Sequence, residues 1–528
     1  MAAPQLDGSN LPLFLFLFVA SCFVIVRQLQ LRSGRNNGRR ALPPSPAGLP
    51  IIGNMHQLGR GHHHRKLQAL ARRHGDIFHL RLGSVPALVV SSASMAEEVL
   101  KNQDHVFCGR PQQHTARGMI YDCRDVGFSP YGERWRQLRR IAVVHLLSVK
   151  RVDSLRVLRA QEVASLVARI RAAAGILEDG GGKLRAVNVS ELIVSLTRTV
   201  VSKAAFGNKL GGMEPADFRE MMKEVTDLLE TIAVSDMFPR LRWVDSATGL
   251  DARIKRMAGK LDSILEGTLQ EHEKTSPGND GEAADLLDDL LSVVKEGGEG
   301  FKLDRTDVKG LIFDLFVAGI DTTSKAIEWA MAYLIKNPPE MAKVQAEVRQ
   351  IAGAQGVLEE QLGRMSRLQA TLKEAMRLHP PVPLLVPHET IQDTKLCGYY
   401  IPAKTRVIIN AWAIGRDEDS WENAEEFLPE RFMHSAIDYN GKDFRFIPFS
   451  AGRRGCPGIA FATRLAELAL ANLLYHFDWE LPEGQDVESF EVVESSGLSP
   501  GLKNALTIVA KPMQAGTLQT SIGTLSEK

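Results

Sequence analysis

Across most of residues 60–380, apolar and polar positions recur at helical spacing, with short breaks. "RKLQALARRHG", residues 65–75, predicts a basic amphipathic helix closed by Gly75. "HLRLGSVPALVVSS" alternates and is rich in β-branched residues, which predicts a small hairpin near the N-terminus. "DGGGK" at 179 and "TSPGNDGE" at 275 are loops by composition. A long helical run starts near Asp304, continues to about Lys336 and stops before "NPP". Beyond 380 the chain turns proline-rich and strand-like, in "PPVPLLVP" and "GYYIPAKTRVIINAW". A last helix, "IAFATRLAELALANLLYHFDWEL", begins at Ile459. The pattern predicts a mainly α body with a small β region. Helices and strands do not alternate, and no G-x-G-x-x-G follows a strand. Nicotinamide or flavin binding within the chain is therefore unsupported.

The N-terminal pattern is different. "LPLFLFLFVASCFVIV", residues 11–26, runs sixteen residues without a charge. At about 1.5 Å per residue it spans about 24 Å, slightly short of a bilayer core of about 27–30 Å. Leu29, Leu31 and a snorkelling Arg27 extend it. Asp7 precedes the run, and Arg27, Arg32, Arg35, Arg39 and Arg40 follow it. That asymmetry places the arginines, and everything after them, on the cytosolic side. A cleaved signal peptide fits less well, because the basic residues follow the apolar run and no small-x-small site ends it. "PPSPAGLP", residues 43–50, then reads as a stiff linker. The chain divides into a short lumenal N-terminus (1–10), a transmembrane anchor (11–26), a basic and proline-rich hinge (27–50), the main domain (51–513) and a C-terminal tail (514–528).

Charge and cysteine content narrow the chemistry. The 528 residues carry a net charge of +1 and are 44% hydrophobic, a globular composition with no basic excess for nucleic acid. Five cysteines are scattered, none at C-x-x-C spacing, which argues against a disulfide scaffold or a closed zinc site. A single ligating or catalytic cysteine remains. Cys456 lies in "FSAGRRGCPG", where glycines and proline allow a tight loop whose backbone approaches a flat partner. Backbone N–H groups there can converge on the sulfur, and the helix opening at Ile459 adds its dipole, so the loop is expected to favour a thiolate. With no histidine nearby in sequence, such a thiolate suits a metal better than acyl transfer.

Phe449, Gly452, Arg454, Cys456 and Gly458 fit F-x-x-G-x-R-x-C-x-G, which resembles the haem-binding signature of the cytochromes P-450. The resemblance implies haem b (iron protoporphyrin IX) with Cys456 as the axial thiolate, which favours O–O cleavage. It implies that Arg454 pairs with a propionate, that Phe449 shields the sulfur and that Gly458 permits close helix packing. Arg453 has no family role and reads as a surface arginine. "AGIDTT", residues 318–323, resembles the acid–alcohol pair of the family's long central helix. There Ala318 and Gly319 leave room beside the iron, Thr322 holds a water or oxygen, and Asp321 relays protons. "EAMR" with "PERF" resembles the family's Glu–Arg–Arg triad, here Glu374, Arg377 and Arg431, with a structural role. "WRQLR" puts Trp135 and Arg139 on one helix face, and the family reading puts both at a propionate. His388 stands where a propionate-binding arginine is frequent, and could donate in its place.

The motifs occur in family order, and the resemblance covers the whole chain, anchor included. It is nearest to plant microsomal members acting on terpenoids, indoles, phenylpropanoids and amino-acid-derived metabolites. Ser450 and Ser45 replace common glycines, and Asp417-Glu418 replaces a common Asp-Pro. The implied function is a monooxygenase of a small lipophilic metabolite, using O2 and electrons from a membrane-bound NADPH-cytochrome reductase. The implied location is the endoplasmic reticulum membrane, single-pass, with a cytosolic catalytic domain. Segments 109–128, 311–322, 382–386 and 496–502 are expected to line the pocket. Arg453, Arg136 and Arg140 are expected on the reductase face. Two other readings are a reductase-independent haem-thiolate isomerase or dehydratase, and a membrane haem-binding protein without turnover. Retention of Asp321 and Thr322 argues against the first, and the proton relay and apolar pocket argue against the second.

Three features read as ordinary. His62, His63 and His64 cannot all face one site on a helix and are expected as a solvated helix start. Asn188-Val-Ser190 is a glycosylation sequon, but helix capping by Asn188 or Ser190 is simpler on the cytosolic side. Cys108 and Cys123 are expected as plain thiols.

Overall fold

The computed structural model describes residues 41–59, 61–176, 184–207, 215–274, 285–296 and 303–513. The anchor, the hinge up to Arg40, the loops at 179 and 275 and the tail lie outside the described residues. Among the described residues no helix is long and apolar enough to cross a membrane.

Among the described residues, twelve helices of nine residues or more are α1 (His63–His74), α2 (Glu133–Ile141), α3 (Arg156–Ala174), α4 (Val189–Phe206), α5 (Pro215–Glu230), α6 (Leu250–Lys274), α7 (Leu286–Glu296), α8 (Arg305–Gly319), α9 (Asp321–Lys336), α10 (Pro338–Ala352), α11 (Ser366–Leu378) and α12 (Ile459–His476). The described residues also hold nine short strands, β1 (Ile77–Leu82), β2 (Val85–Val90), β3 (Ala186–Asn188), β4 (His388–Glu389), β5 (Thr394–Leu396), β6 (Tyr399–Ile401), β7 (Arg406–Ile409), β8 (Phe477–Glu480) and β9 (Thr507–Pro512). The expected mainly α body with minor β structure is what is found.

Local chemistry accounts for the boundaries. α1 ends at Gly75, as its sequence predicts. Asn188 caps α4, its Oδ1 accepting the Glu191 N–H at 3.1 Å. Asp304 and Asp307 form a reciprocal capping box that starts α8. α9 stops at Lys336, before the proline pair. Two expectations change. The last helix ends at His476, and "FDWE" continues as strand β8. "PPVPLLVP" makes no strand, because its prolines supply no N–H for a ladder.

The main sheet has order β1-β2-β7-β4. β1 and β2 form the expected hairpin, antiparallel with Ile77 opposite Val90. β2 runs parallel to β7, pairing Ala87 with Arg406, so residues far apart in sequence close the sheet. A second sheet, β3-β9-β8, ties the start of α4 to the C-terminal strands. The helical core packs α9 against α4, α11 and α12. Trp329 of α9 is fully buried, as are Leu465, Leu470, Leu473 and Leu474 of α12. Each such side chain stabilises the fold by about 1.5–3 kcal/mol relative to exposure. α8, α9 and α12 thereby become the rigid walls of an internal cavity.

Candidate active site

Cys456 sits in a loop shaped by one close approach. Gly452 has φ +67°, and a Cβ there would lie 2.0 Å from the Leu100 carbonyl oxygen, so only glycine fits. The turn continues with Gly455 N–H donating to the Gly452 carbonyl at 3.1 Å, and Cys456 N–H donating to the Phe449 carbonyl at 2.9 Å. The Gly458 N–H donates to Cys456 Sγ at 3.3 Å, and α12 starts at the next residue. Burial nevertheless raises the Cys456 thiol above its ordinary value, and the Gly458 N–H and the Arg139 charge only oppose it. The expectation that the loop alone favours a thiolate is therefore corrected. One N–H does not offset desolvation, and a cation facing the sulfur has to supply the rest. Phe449 lines the cavity beside the sulfur and packs edge-on against Tyr439, ring centres 5.7 Å apart. Ser450, at a common glycine position, takes the left-handed backbone at φ +61°, and its buried hydroxyl has no partner.

A wall of cations stands beside Cys456. Arg454 is buried and lies over the Trp135 ring at 4.2 Å. Its guanidinium donates to the carbonyls of Cys108 (2.8 Å), Val126 (3.3 Å) and Ser129 (2.8 Å). Trp135 Nε1 donates to the same Val126 carbonyl at 3.1 Å. Arg139, one turn along α2, donates to the Gly455 carbonyl at 2.5 Å. Arg110 was not singled out from sequence. It is buried and donates to the carbonyls of Gly127 (3.0 Å), Val386 (2.7 Å) and Pro387 (2.9 Å). Burial lowers Arg110 to about 9 and Arg454 to about 10. His388 is buried, with Nδ1 2.8 Å from the Phe107 carbonyl and Nε2 without a partner. Burial and the Arg110 charge push it well below its ordinary value. Neutral His388 thus carries its proton on Nδ1, donated to the Phe107 carbonyl, and Nε2 has no partner among the described residues.

On the cavity lining the long helical run breaks at Ile320, separating α8 from α9. Thr322 Oγ1 donates to the Ala318 carbonyl at 2.5 Å, which satisfies the acceptor freed by the break. Its lone pairs remain available to the cavity. Thr323, also on the lining, has a buried hydroxyl without a partner. Burial raises Asp321, against the charges of Lys325 and Arg198.

Two acids that the sequence reading passed over define the loop wall. Asp314 lines the cavity, and its Oδ2 accepts the N–H groups of Val126 (2.6 Å) and Gly127 (3.3 Å). Asp125 is fully buried and accepts the Phe128 N–H at 3.0 Å. Burial pushes Asp125 up to about 6, and burial with the Asp125 charge raises Asp314 well above the carboxylate range. Gly310 lets the same loop approach α8, since a Cβ there would lie 2.0 Å from the Arg124 carbonyl oxygen. Asp307 holds the loop's flank through Arg134, with Nη1–Oδ1 at 2.5 Å, and through Arg124 at 3.1 Å. Residues 307, 310 and 314 share one helix face, so α8 holds residues 124–128 like a strap. A sequence signal existed for Asp314, an acid inside the apolar run "LIFDLFVAG"; for Arg110 there was none.

Behind the cavity, Glu374 is fully buried. It accepts from Arg377 Nε (2.7 Å) and Nη2 (2.8 Å), Arg431 Nε (2.9 Å) and the Leu428 N–H (2.8 Å). Arg377 also donates to the carbonyls of Gly415, Ala424 and Glu426. The triad read from "EAMR" and "PERF" assembles, and it locks residues 415–431 onto α11.

One cavity joins these parts, with about 1690 Å³ of non-atom space including its mouth. Its lining is mostly apolar and includes Cys456, Phe449, Thr322, Leu311, Leu385 and Met376. Segments 109–128, 311–322 and 382–386 contribute as expected. Segment 496–502 contributes no lining residue; Trp329 Nε1 instead donates to the Pro500 carbonyl at 3.2 Å, outside the cavity. The residues fit an iron porphyrin. Among the described residues no salt bridge joins Arg110, Arg139 or Arg454 to an acid, so the wall carries cationic charge suited to propionates. Cys456 Sγ faces the same space and lacks only a cation. His62 and His64, expected in solvent, both turn toward buried Glu494, while His63 alone points outward.

Comparison with known proteins agrees. The family model described as Cytochrome P450 matches residues 43–505. Cytochrome P450 71A1 of Persea americana is 47% identical over 465 residues, covering 87% of this chain and 91% of that protein. Phenylacetaldehyde oxime monooxygenase CYP71AN24 of Prunus mume is 41% identical over 515 residues, covering 96% and 97%. A solved zebra fish cytochrome P450 with abiraterone superposes with a TM-score of 0.70 at 26% identity, covering 86% of this chain and all of that one.

Proposed function

The chain belongs to the cytochrome P450 family, as a haem b monooxygenase resembling plant members, and from that premise we propose that it hydroxylates a small lipophilic plant metabolite of the terpenoid, indole or phenylpropanoid class. The reaction takes O2 and two electrons from NADPH through a reductase. One oxygen atom enters a C–H bond of the substrate and the other leaves as water. The observation that carries this reading is the apolar cavity lined by both Cys456 and Thr322, the latter at the helix break.

Haem iron, when bound, supplies the activation of O2. Cys456 would ligate it, and Arg110, Arg139, Arg454 and Trp135 would hold the propionate side. Phe449 covers the sulfur and limits water there. Leu311, Leu385, Met376 and Val386 give an apolar surface that selects by shape, with few polar anchors. Thr322 holds a hydroxyl at the cavity wall, and Asp321 behind it can exchange a proton with solvent through the α4 side, where Arg198 lies. Glu374, Arg377 and Arg431 act structurally. The Prunus mume relative is named for action on a small aromatic oxime, which supports a small lipophilic substrate here.

Membrane attachment through residues 11–26, at the endoplasmic reticulum, belongs to the same proposal. It is supported by exposed Leu49 at the end of the hinge and exposed Ile51 and Ile52 directly after it. Gly83 of the β1–β2 turn donates its N–H to the Ile52 carbonyl, and Ser84 reaches the Met237 carbonyl near exposed Leu241 and Trp243. These residues make an apolar end. Reductase docking is supported by exposed Arg453 and Arg136, both against the Tyr131 ring, with exposed Arg140 farther along α2.

The test is a substrate screen by optical spin shift across terpenes, indoles and phenolics, followed by turnover with NADPH and reductase. A hydroxylated product dependent on both O2 and NADPH is expected. Product formation without reductase would contradict the proposal.

A further inference from the structure

Four polar side chains meet where the start of α1 lies against residue 494. Glu494 is 5% exposed and forms the hub. Its Oε2 accepts from His64 Nε2 at 3.1 Å and stands 3.6 Å from His62 Nδ1. Its Oε1 stands 3.7 Å from His379 Nδ1. His62 Nδ1 is shielded from water and has no hydrogen-bond partner, while His379 Nδ1 and Glu494 Oε1 face only each other. Buried polar atoms are nearly always paired, so an unpartnered His62 Nδ1 beside this carboxylate indicates a missing ligand.

The geometry suits a cation with imidazole and carboxylate preference. Donor atoms around tetrahedral zinc lie about 3.3 Å apart, given bonds of about 2.0–2.1 Å. The separations of 3.1 and 3.6 Å bracket that value. His62 holds a left-handed backbone, φ 35° and ψ 51°, which turns its ring toward the site ahead of α1. A strained residue at a ligand position is a common device. Arg65 is the competing charge, donating from Nε (3.1 Å) and Nη2 (2.9 Å) to Oε2. Its side chain is 49% exposed and lies over Trp412 at 4.9 Å, so it can leave Oε2 and keep its stacking.

We propose that His62, His64 and Glu494 form a zinc site, with water as fourth ligand and His379 orienting the carboxylate through Oε1. The ion staples the first turn of α1 to the segment entering 495–502, where Leu502 pairs back to Glu494.

The test uses the full haem-loaded chain, stripped with chelator and titrated with zinc chloride against a chromophoric competitor. Metal content and zinc K-edge absorption are read on the same samples. One zinc per chain is expected, with two imidazoles and oxygen donors. His62→Ala weakens binding roughly tenfold or more, and Arg65→Ala tightens it by removing the rival cation. His63→Ala leaves it unchanged, because His63 Nε2 turns away to the Gly59 carbonyl at 3.1 Å. His62 and His63 are not core residues, so an unaltered haem spectrum certifies both variants. No zinc retained at micromolar free metal would overturn the proposal. So would equal loss in His62→Ala and His63→Ala, which marks mere capture by a histidine run.

Discussion

Asp314 Oδ2 accepts the Val126 N–H at 2.6 Å, fastening the loop wall of the cavity to the central helix. Replacing Asp314 by Ala leaves two buried N–H groups without an acceptor. The expected cost is about 1–3 kcal/mol, with weaker substrate binding because residues 126–127 line the cavity. Denaturant titration and spin-shift titration check the two effects.

The same pair sets a pH dependence. Asp125 is pushed up to about 6 and Asp314 well above the carboxylate range. Between about pH 4 and those values the folded chain holds protons that the unfolded chain releases. The pair's stability contribution is therefore fully present below about pH 4 and lost as pH rises through about 6. Asp314→Asn removes one acid of the pair and its charge on the other, so its melting temperature should fall less than wild type between pH 5 and 7. Parallel curves would refute this account of the two acids.

Glu374 receives four hydrogen bonds within the protein. Glu374→Ala leaves the buried Arg377 charge unpaired, an expected loss of about 3–5 kcal/mol with failure to hold haem. Arg431→Ala keeps the Glu374–Arg377 pair and should cost less. Chemical denaturation of both variants measures the order.

Thr322→Ala removes the hydroxyl that satisfies the Ala318 carbonyl at the helix break. Substrate binding should persist, while the ratio of product to NADPH consumed falls and peroxide rises. Unchanged coupling would remove Thr322 from proton handling.

Ser450 carries φ +61° and an unpaired buried hydroxyl. Ser450→Gly relieves both and should stabilise the chain by about 0.5–1 kcal/mol, read as a higher melting temperature.

The parts of this molecule that rest on local chemistry were legible in sequence. Gly75, Asn188, the hairpin and the end of α9 follow from caps, alternation and proline. Cys456, Thr322 and the Glu374 triad were legible because each uses a fixed short spacing. The rest depends on long-range burial. Arg110 and Asp125 look like loop polar residues until α8 and residues 386–387 close over them. His64 meets Glu494 across 430 positions of sequence. The direction of the Cys456 shift is likewise a burial effect, which no count of local N–H groups supplies.

The central claim is that Cys456 is the iron ligand of a haem monooxygenase. Its most direct test is the difference spectrum of reduced protein under carbon monoxide. Wild type should give the long-wavelength Soret band of thiolate ligation, and Cys456→His should shift it to the histidine-ligated position with haem retained. A wild-type band already at the histidine position, or a thiolate band that survives the substitution, would contradict the account.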